Sequence, residues 1–169
     1  QKIYKGKGIE MPTKTYAAYG SNLNLCQMKY RCPKATVIGI GIINNYRLTF
    51  RGSGRGVANI EKQPNENVPV VLWSITKECE KALDRYEGFP RLYVKEEVEV
   101  IKDDGVKIKA MAYVMHETYK YMPARPTDYY LDVIWQGYLD NNLPIEKLRT
   151  ALSENLLEIN EKLHERYRW

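Results

Sequence analysis

Histidine is almost missing from this chain: two residues, His116 and His164, in 169. A Ser-His or Cys-His nucleophile pair needs an imidazole beside the nucleophile. His116 falls at the end of an expected strand and His164 in a charged C-terminal helix, so neither offers such a base. Cysteine is scarce too. Cys26, Cys32 and Cys79 are odd in number and show no CxxC spacing. With two histidines they do not make a zinc site, and they read as reduced thiols of a cytoplasmic protein. No apolar run approaches the roughly 18–20 residues that span a bilayer, so no membrane association is expected. No basic stretch followed by an apolar one opens the sequence, so no secretory signal is expected either. Charge of a single sign is not concentrated anywhere. The net charge is +5, but 26 Lys and Arg are interleaved with 21 Asp and Glu, which describes a solvated, mildly basic surface. Nucleic acid is not an expected partner, because no aromatic-interleaved basic stripe is visible.

What is present describes a globular chain. Hydrophobic residues make up 44% and charged residues 28%, enough for a proper core. Residues 1–14 read as a polar lead-in and 15–169 as a single domain. Thr15–Tyr19 is β-prone and ends at Gly20; Leu23–Tyr30 is a short helical candidate closed by Cys32-Pro33. Ala35–Ile43 and Tyr46–Arg51 are strand-like, with Asn44-Asn45 expected as a turn between them. Val57–Ile60 and Val68–Ile75 follow, separated by an expected polar turn at Gln63–Asn67. Thr76 is a plausible N-cap, after which Cys79, Ala82, Leu83 and Tyr86 recur at helical spacing up to Gly88 and Pro90. Leu92–Ile101 and Lys107–Met115 form an expected hairpin across Asp103-Asp104-Gly105. Beyond Pro126 the pattern is helical. Six or seven strands with two interrupting helices and a helical tail predict an α+β fold, its mostly antiparallel sheet curled into a barrel.

Three stretches invite a chemical reading. RGSGRG (51–56) is glycine-rich but lacks the Lys-Ser/Thr of a phosphate loop and leads into a strand, so it reads as a hairpin turn. The Gly20-Ser21-Asn22 corner joins a strand to a helix. Gly20 there permits unusual backbone angles, and the N–H groups of Gly20 to Leu23 can converge into a nest for a carboxylate or an oxyanion. Taken alone, such a corner is usually only a turn. Glu87 closes its helix, where the macrodipole disfavours a carboxylate, and is flanked by Tyr86 and Gly88-Phe89-Pro90. It is either a solvated helix end or a carboxyl with a raised pKa, suited to proton transfer near neutrality.

Taken in order, these segments resemble a known family. Tyr19-Gly-Ser-Asn-Leu23 after the first strand, Gly56-Val-Ala-Asn-Ile60, Val71-Leu-Trp-Ser-Ile75, and Leu83-Asp-Arg-Tyr-Glu-Gly88 with Tyr93 beyond follow the motif order of the γ-glutamylcyclotransferase-like superfamily. Pro126-Thr-Asp-Tyr-Tyr130, running into Ile134, Gly137 and Asn142-Leu-Pro144, is similar to its C-terminal helix. The resemblance covers roughly residues 15 to 145 and implies a small β-barrel wrapped by helices. It implies Glu87 as the acid/base, Tyr19, Gly20, Ser21, Asn22 and Leu23 as the substrate-holding loop, and Tyr130 as a substrate contact. The implied reaction is cleavage of a γ-glutamyl amide by attack of its own α-amine, giving 5-oxoproline and a free amine. That reaction requires no cofactor and no metal. A small-molecule or partner-binding module on the same fold is the alternative.

Overall fold

The structure is a computed structural model that describes residues 11–168. Most of the polar lead-in, residues 1–10, lies outside the described residues, as does Trp169. Five strands carry the fold: β1 (Thr13–Ala18), β2 (Thr36–Arg51), β3 (Val57–Thr76), β4 (Tyr93–Lys102) and β5 (Lys107–Met115). They close into a barrel in the order β1-β3-β2-β4-β5. Every pairing is antiparallel except the β1–β5 contact that seals the barrel. Four α-helices accompany it: α1 (Leu25–Arg31), α2 (Lys77–Glu87), α3 (Asp128–Asp140) and α4 (Ile145–Arg166). The expected α+β barrel is therefore the observed architecture.

The strand count differs from the expected six or seven because two predicted turns are not chain reversals. Asn45 takes a left-handed φ of 60° and Asn65 one of 67°, yet both lie inside long strands. Asparagine tolerates that conformation better than other side chains. Along the β2–β3 ladder, Asn44 pairs with Asn67 and Tyr46 with Lys62, so residues 63–66 bulge out opposite Asn45. The Asn45 side chain holds this excursion by accepting from the Asn65 N–H at 3.2 Å. The ladder bends and resumes, merging four expected strands into two of 16 and 20 residues.

From Val68 to Ile75 nearly every β3 residue is buried, with Ser74 the one half-exposed. A strand buried on both faces loses the period-two alternation of a half-exposed strand. α4 packs against β2. Its Asn155 side chain is buried and donates to the carbonyls of Phe50 (3.2 Å) and Ala124 (3.1 Å). Beside it, Arg51 is 1% exposed and pairs through Nε with Glu61 at 2.8 Å and through Nη1 with Glu158 of α4 at 2.8 Å. Among the described residues, no helix is long and apolar enough to cross a membrane.

Candidate active site

β1 leads straight into the Gly20 corner, where a single 3-10 turn, Ser21–Leu23, takes over. The reason for glycine there differs from the expected one. Gly20 has a negative φ of −118°, outside the left-handed region. What it supplies is room, because a Cβ at this position would lie 3.1 Å from the Ala58 Cβ and 3.5 Å from the Tyr130 hydroxyl. The N–H of Leu23 is taken by the Gly20 carbonyl at 3.0 Å. Those of Gly20, Ser21 and Asn22 have no acceptor among the described residues. Three of the four expected donors are thus available.

The corner is held from both sides. The Asn22 carbonyl accepts from Trp73 Nε1 of β3 at 3.1 Å. From outside, α3 comes into backbone contact through Gly137, where a Cβ would fall 2.6 Å from the Leu23 Cβ and 2.8 Å from the Asn24 nitrogen. Asn141 of α3 donates to the Leu23 carbonyl at 2.7 Å, and Asn24 donates to the Val133 carbonyl at 3.1 Å. The Leu23 side chain is fully buried and forms no part of the cavity wall. It anchors the turn in the core.

α2 delivers Glu87. The Thr76 hydroxyl caps its start by accepting from the Cys79 N–H at 3.2 Å, and Cys79 and Leu83 fasten it to the barrel. Its end is set by Gly88, left-handed at φ 65°. In the last turn Glu87 enters a cavity of about 220 Å³, also lined by Tyr19, Gly20, Ser21, Asn22 and Tyr130. The structure thus brings together six of the seven expected site residues, Leu23 excepted. Asn22 Nδ2 donates to Glu87 Oε1 at 3.4 Å and to the Tyr16 hydroxyl at 3.0 Å. Burial pushes the Glu87 carboxyl up to about 7, against the opposing pull of the Arg31 guanidinium.

The rest of the wall is phenolic and aliphatic: Tyr16, Tyr86, Tyr93 and Tyr113, with Val57, Ala58 and Leu92. The Tyr93 hydroxyl donates to the Ala58 carbonyl at 2.5 Å and that of Tyr113 to Asp84 at 2.6 Å. The Tyr19 hydroxyl donates to the Tyr113 carbonyl. Tyr130 is different: its oxygen accepts from the Ala58 N–H at 2.9 Å, and its proton has no acceptor among the described residues. Burial raises the pKa of Tyr16, Tyr19, Tyr93, Tyr113 and Tyr130, so these phenols stay neutral donors. Sequence reasoning overlooked Tyr16, Tyr113 and Arg31. Strand closure imports Tyr113 from nearly a hundred residues away, which no local pattern announces. Arg31 did carry a signal, as a cation ending the short helix that directly follows the candidate loop. Among the described residues, no group of three or more His, Cys, Asp or Glu is placed to hold a metal ion.

Residues 16–132 match the family described as gamma-glutamyl cyclotransferase, AIG2-like. The chain belongs to that family. Gamma-glutamylcyclotransferase of Homo sapiens is 32% identical over 140 residues, 78% of this chain and 73% of its own length. The Bos taurus protein of the same name shares the same identity and coverage. A solved structure of a gamma-glutamyl cyclotransferase superposes with a TM-score of 0.74 at 30% identity, covering 83% of this chain and 86% of its own. For an AIG2-like cyclotransferase, the cavity between the Gly20 corner and Glu87 is the natural place to look for chemistry.

Proposed function

We propose that this chain is a γ-glutamyl cyclotransferase that cleaves a γ-glutamyl amide, of an amino acid or of a simple amine, to 5-oxoproline and the free amine. One observation carries the reading: a single carboxyl, raised toward neutrality by burial, faces unused backbone donors across a small phenol-lined cavity. In the reaction, the α-amine of the γ-glutamyl group attacks its own γ-carbonyl carbon. The new C–N bond closes a five-membered ring, and the bond to the leaving nitrogen breaks. The substrate brings its own nucleophile, so the protein needs neither a Ser-His nor a Cys-His pair.

The protein has two tasks. It must hold the substrate folded, where orientation supplies roughly 7–11 kcal/mol. The N–H groups of Gly20, Ser21 and Asn22 and the Tyr130 hydroxyl would take the substrate's α-carboxylate or the oxygen that gains charge. It must also move a proton. Glu87 would take one from the α-ammonium group and give it to the leaving nitrogen as its bond to carbon breaks; the second proton, shed as the ring nitrogen becomes an amide, goes to the departing amine, which leaves as an ammonium ion. A carboxyl near 7 holds and releases that proton with comparable ease, a contribution of roughly 10² to 10⁴ in rate. A cytoplasmic setting belongs to the same proposal, since Cys26, Cys32 and Cys79 are free thiols.

The test is incubation with a panel of γ-glutamyl amino acids and γ-glutamyl amines, following 5-oxoproline and the free amine by mass spectrometry. Equimolar release of both supports the reading. Binding without release from any member of the panel would replace it with the non-catalytic binding module.

A further inference from the structure

We propose that Arg31 is a positioning residue that ties the Gly20–Asn22 corner to the end of α2, so that the loop amides and the Glu87 carboxyl face each other. The proposal rests on the cyclotransferase reading only for its kinetic consequences. Its structural basis is a closed circuit of contacts. Arg31 Nη1 donates to Ser21 Oγ at 3.1 Å and to Asn22 Oδ1. The same guanidinium lies over the Tyr86 ring, its carbon 3.4 Å from the centroid, and Tyr86 immediately precedes Glu87. Asn22 Nδ2 then reaches Glu87 Oε1, which completes the circuit.

The consequence for Asn22 is chemical. A primary amide presents an oxygen on one side and two N–H donors on the other. With Oδ1 committed to the guanidinium, the NH₂ end turns toward Tyr16 and Glu87. Without Arg31 the amide is free to flip, and the carboxyl loses its donor. One nitrogen of the guanidinium reaches both side-chain oxygens while the planar group covers the Tyr86 ring; a lysine ammonium has no plane to stack. Among the described residues, Arg31 forms no ion pair with a carboxylate. Surface charge pairing therefore does not explain it.

Arg31 is also the cation that acts on Glu87. The carboxyl is faced by Tyr16 and Tyr19 at and just beyond β1, Tyr93 of β4, Tyr113 of β5 and Tyr130 of α3, all neutral. One turn back on α2, Asp84 is already engaged by Lys95 of β4 at 2.9 Å and by the Tyr113 hydroxyl. The Arg31 charge opposes the effect of burial, and its removal leaves Glu87 harder to ionise.

The experiment compares the parent with Arg31→Lys and Arg31→Gln. Two readouts are taken: the Glu87 titration by NMR of ¹³C-glutamate-labelled protein without substrate, and KM and kcat across pH with a γ-glutamyl amide. Arg31→Lys keeps the charge but loses the planar stack on Tyr86 and the reach of Nη1 to Ser21 and Asn22. Its KM should rise about tenfold or more while the Glu87 midpoint stays near the parent's. Arg31→Gln should raise KM similarly and move both the midpoint and the acid limb of kcat/KM to higher pH. An unmoved Glu87 midpoint in Arg31→Gln overturns the electrostatic part, and a parental KM in both variants overturns the positioning part. If Arg31→Gln does not fold, Tyr86→Leu removes the stack together with one ring of the cavity wall and should raise KM without moving the midpoint; an unchanged KM there overturns the proposal. If the parent releases no 5-oxoproline, the cyclotransferase reading fails, and the NMR titration still decides the role of Arg31.

Discussion

Replacing Glu87 by glutamine should make the protein more stable in mildly alkaline solution. The sign follows from linkage. In the unfolded chain Glu87 releases its proton near the ordinary glutamate value of 4.5, and in the folded protein near 7. Between those values the folded state binds more protons than the unfolded one, so stability falls as pH rises. Below 4.5 both states are protonated and the penalty vanishes; above 7 it is fully present. At 1.36 kcal/mol per pH unit, the gap between 4.5 and about 7 corresponds to about 3 kcal/mol. Glu87→Gln has no such proton to lose. Urea unfolding of both proteins at pH 4.5, 6 and 8 reads the difference. The variant should gain on the parent by about 3 kcal/mol from the lowest pH to the highest, most of it between 5 and 7. Stability curves that stay parallel across that range would show that Glu87 titrates as an ordinary surface carboxylate, and the site chemistry would lose its base.

Gly137→Ala should displace α3 from the loop, since the new Cβ meets Leu23 and Asn24 backbone or Cβ atoms at 2.6–2.8 Å. Overpacking of this kind costs roughly 1–3 kcal/mol, read by denaturation, with a larger fall in kcat/KM than in stability. Glu61→Gln should destabilise by roughly 1–3 kcal/mol in a melt, because the fully buried Arg51 would lose its bidentate partner and keep only Glu158. Turnover should increase with pH through about 7, as Glu87 ionises and becomes able to accept the ammonium proton. An acid limb near 4.5 in the kcat/KM profile would contradict the burial argument.

How much of this was legible in the sequence varied with the range of the interactions involved. Helix α2 was read closely because its signals are local: the Thr76 cap, the apolar spacing through Leu83 and the Gly88 stop. The β4–β5 hairpin was equally plain, with Gly105 at its tip in a left-handed φ of 85°. The long β2 and β3 strands were not. Asn45 and Asn65 look like turn residues, and whether the chain reverses or merely bulges depends on partners twenty residues apart. The site divides the same way. Gly20–Asn22 and Glu87 announced themselves by residue type and position. Tyr113 and Arg31 act through contacts that exist only after strand pairing and helix packing bring distant segments together. The reason for glycine at position 20 was not legible either: its missing Cβ matters because of Ala58 and Tyr130, neither of them a sequence neighbour.

The central claim is that Glu87 transfers the proton while the substrate attacks itself. The direct measurement is 5-oxoproline release from one γ-glutamyl amide by the parent and by Glu87→Gln, with substrate affinity of both measured by calorimetry. The account predicts a fall in kcat of roughly 10² to 10⁴ with affinity held within a few-fold. Equal turnover by the two proteins would contradict it.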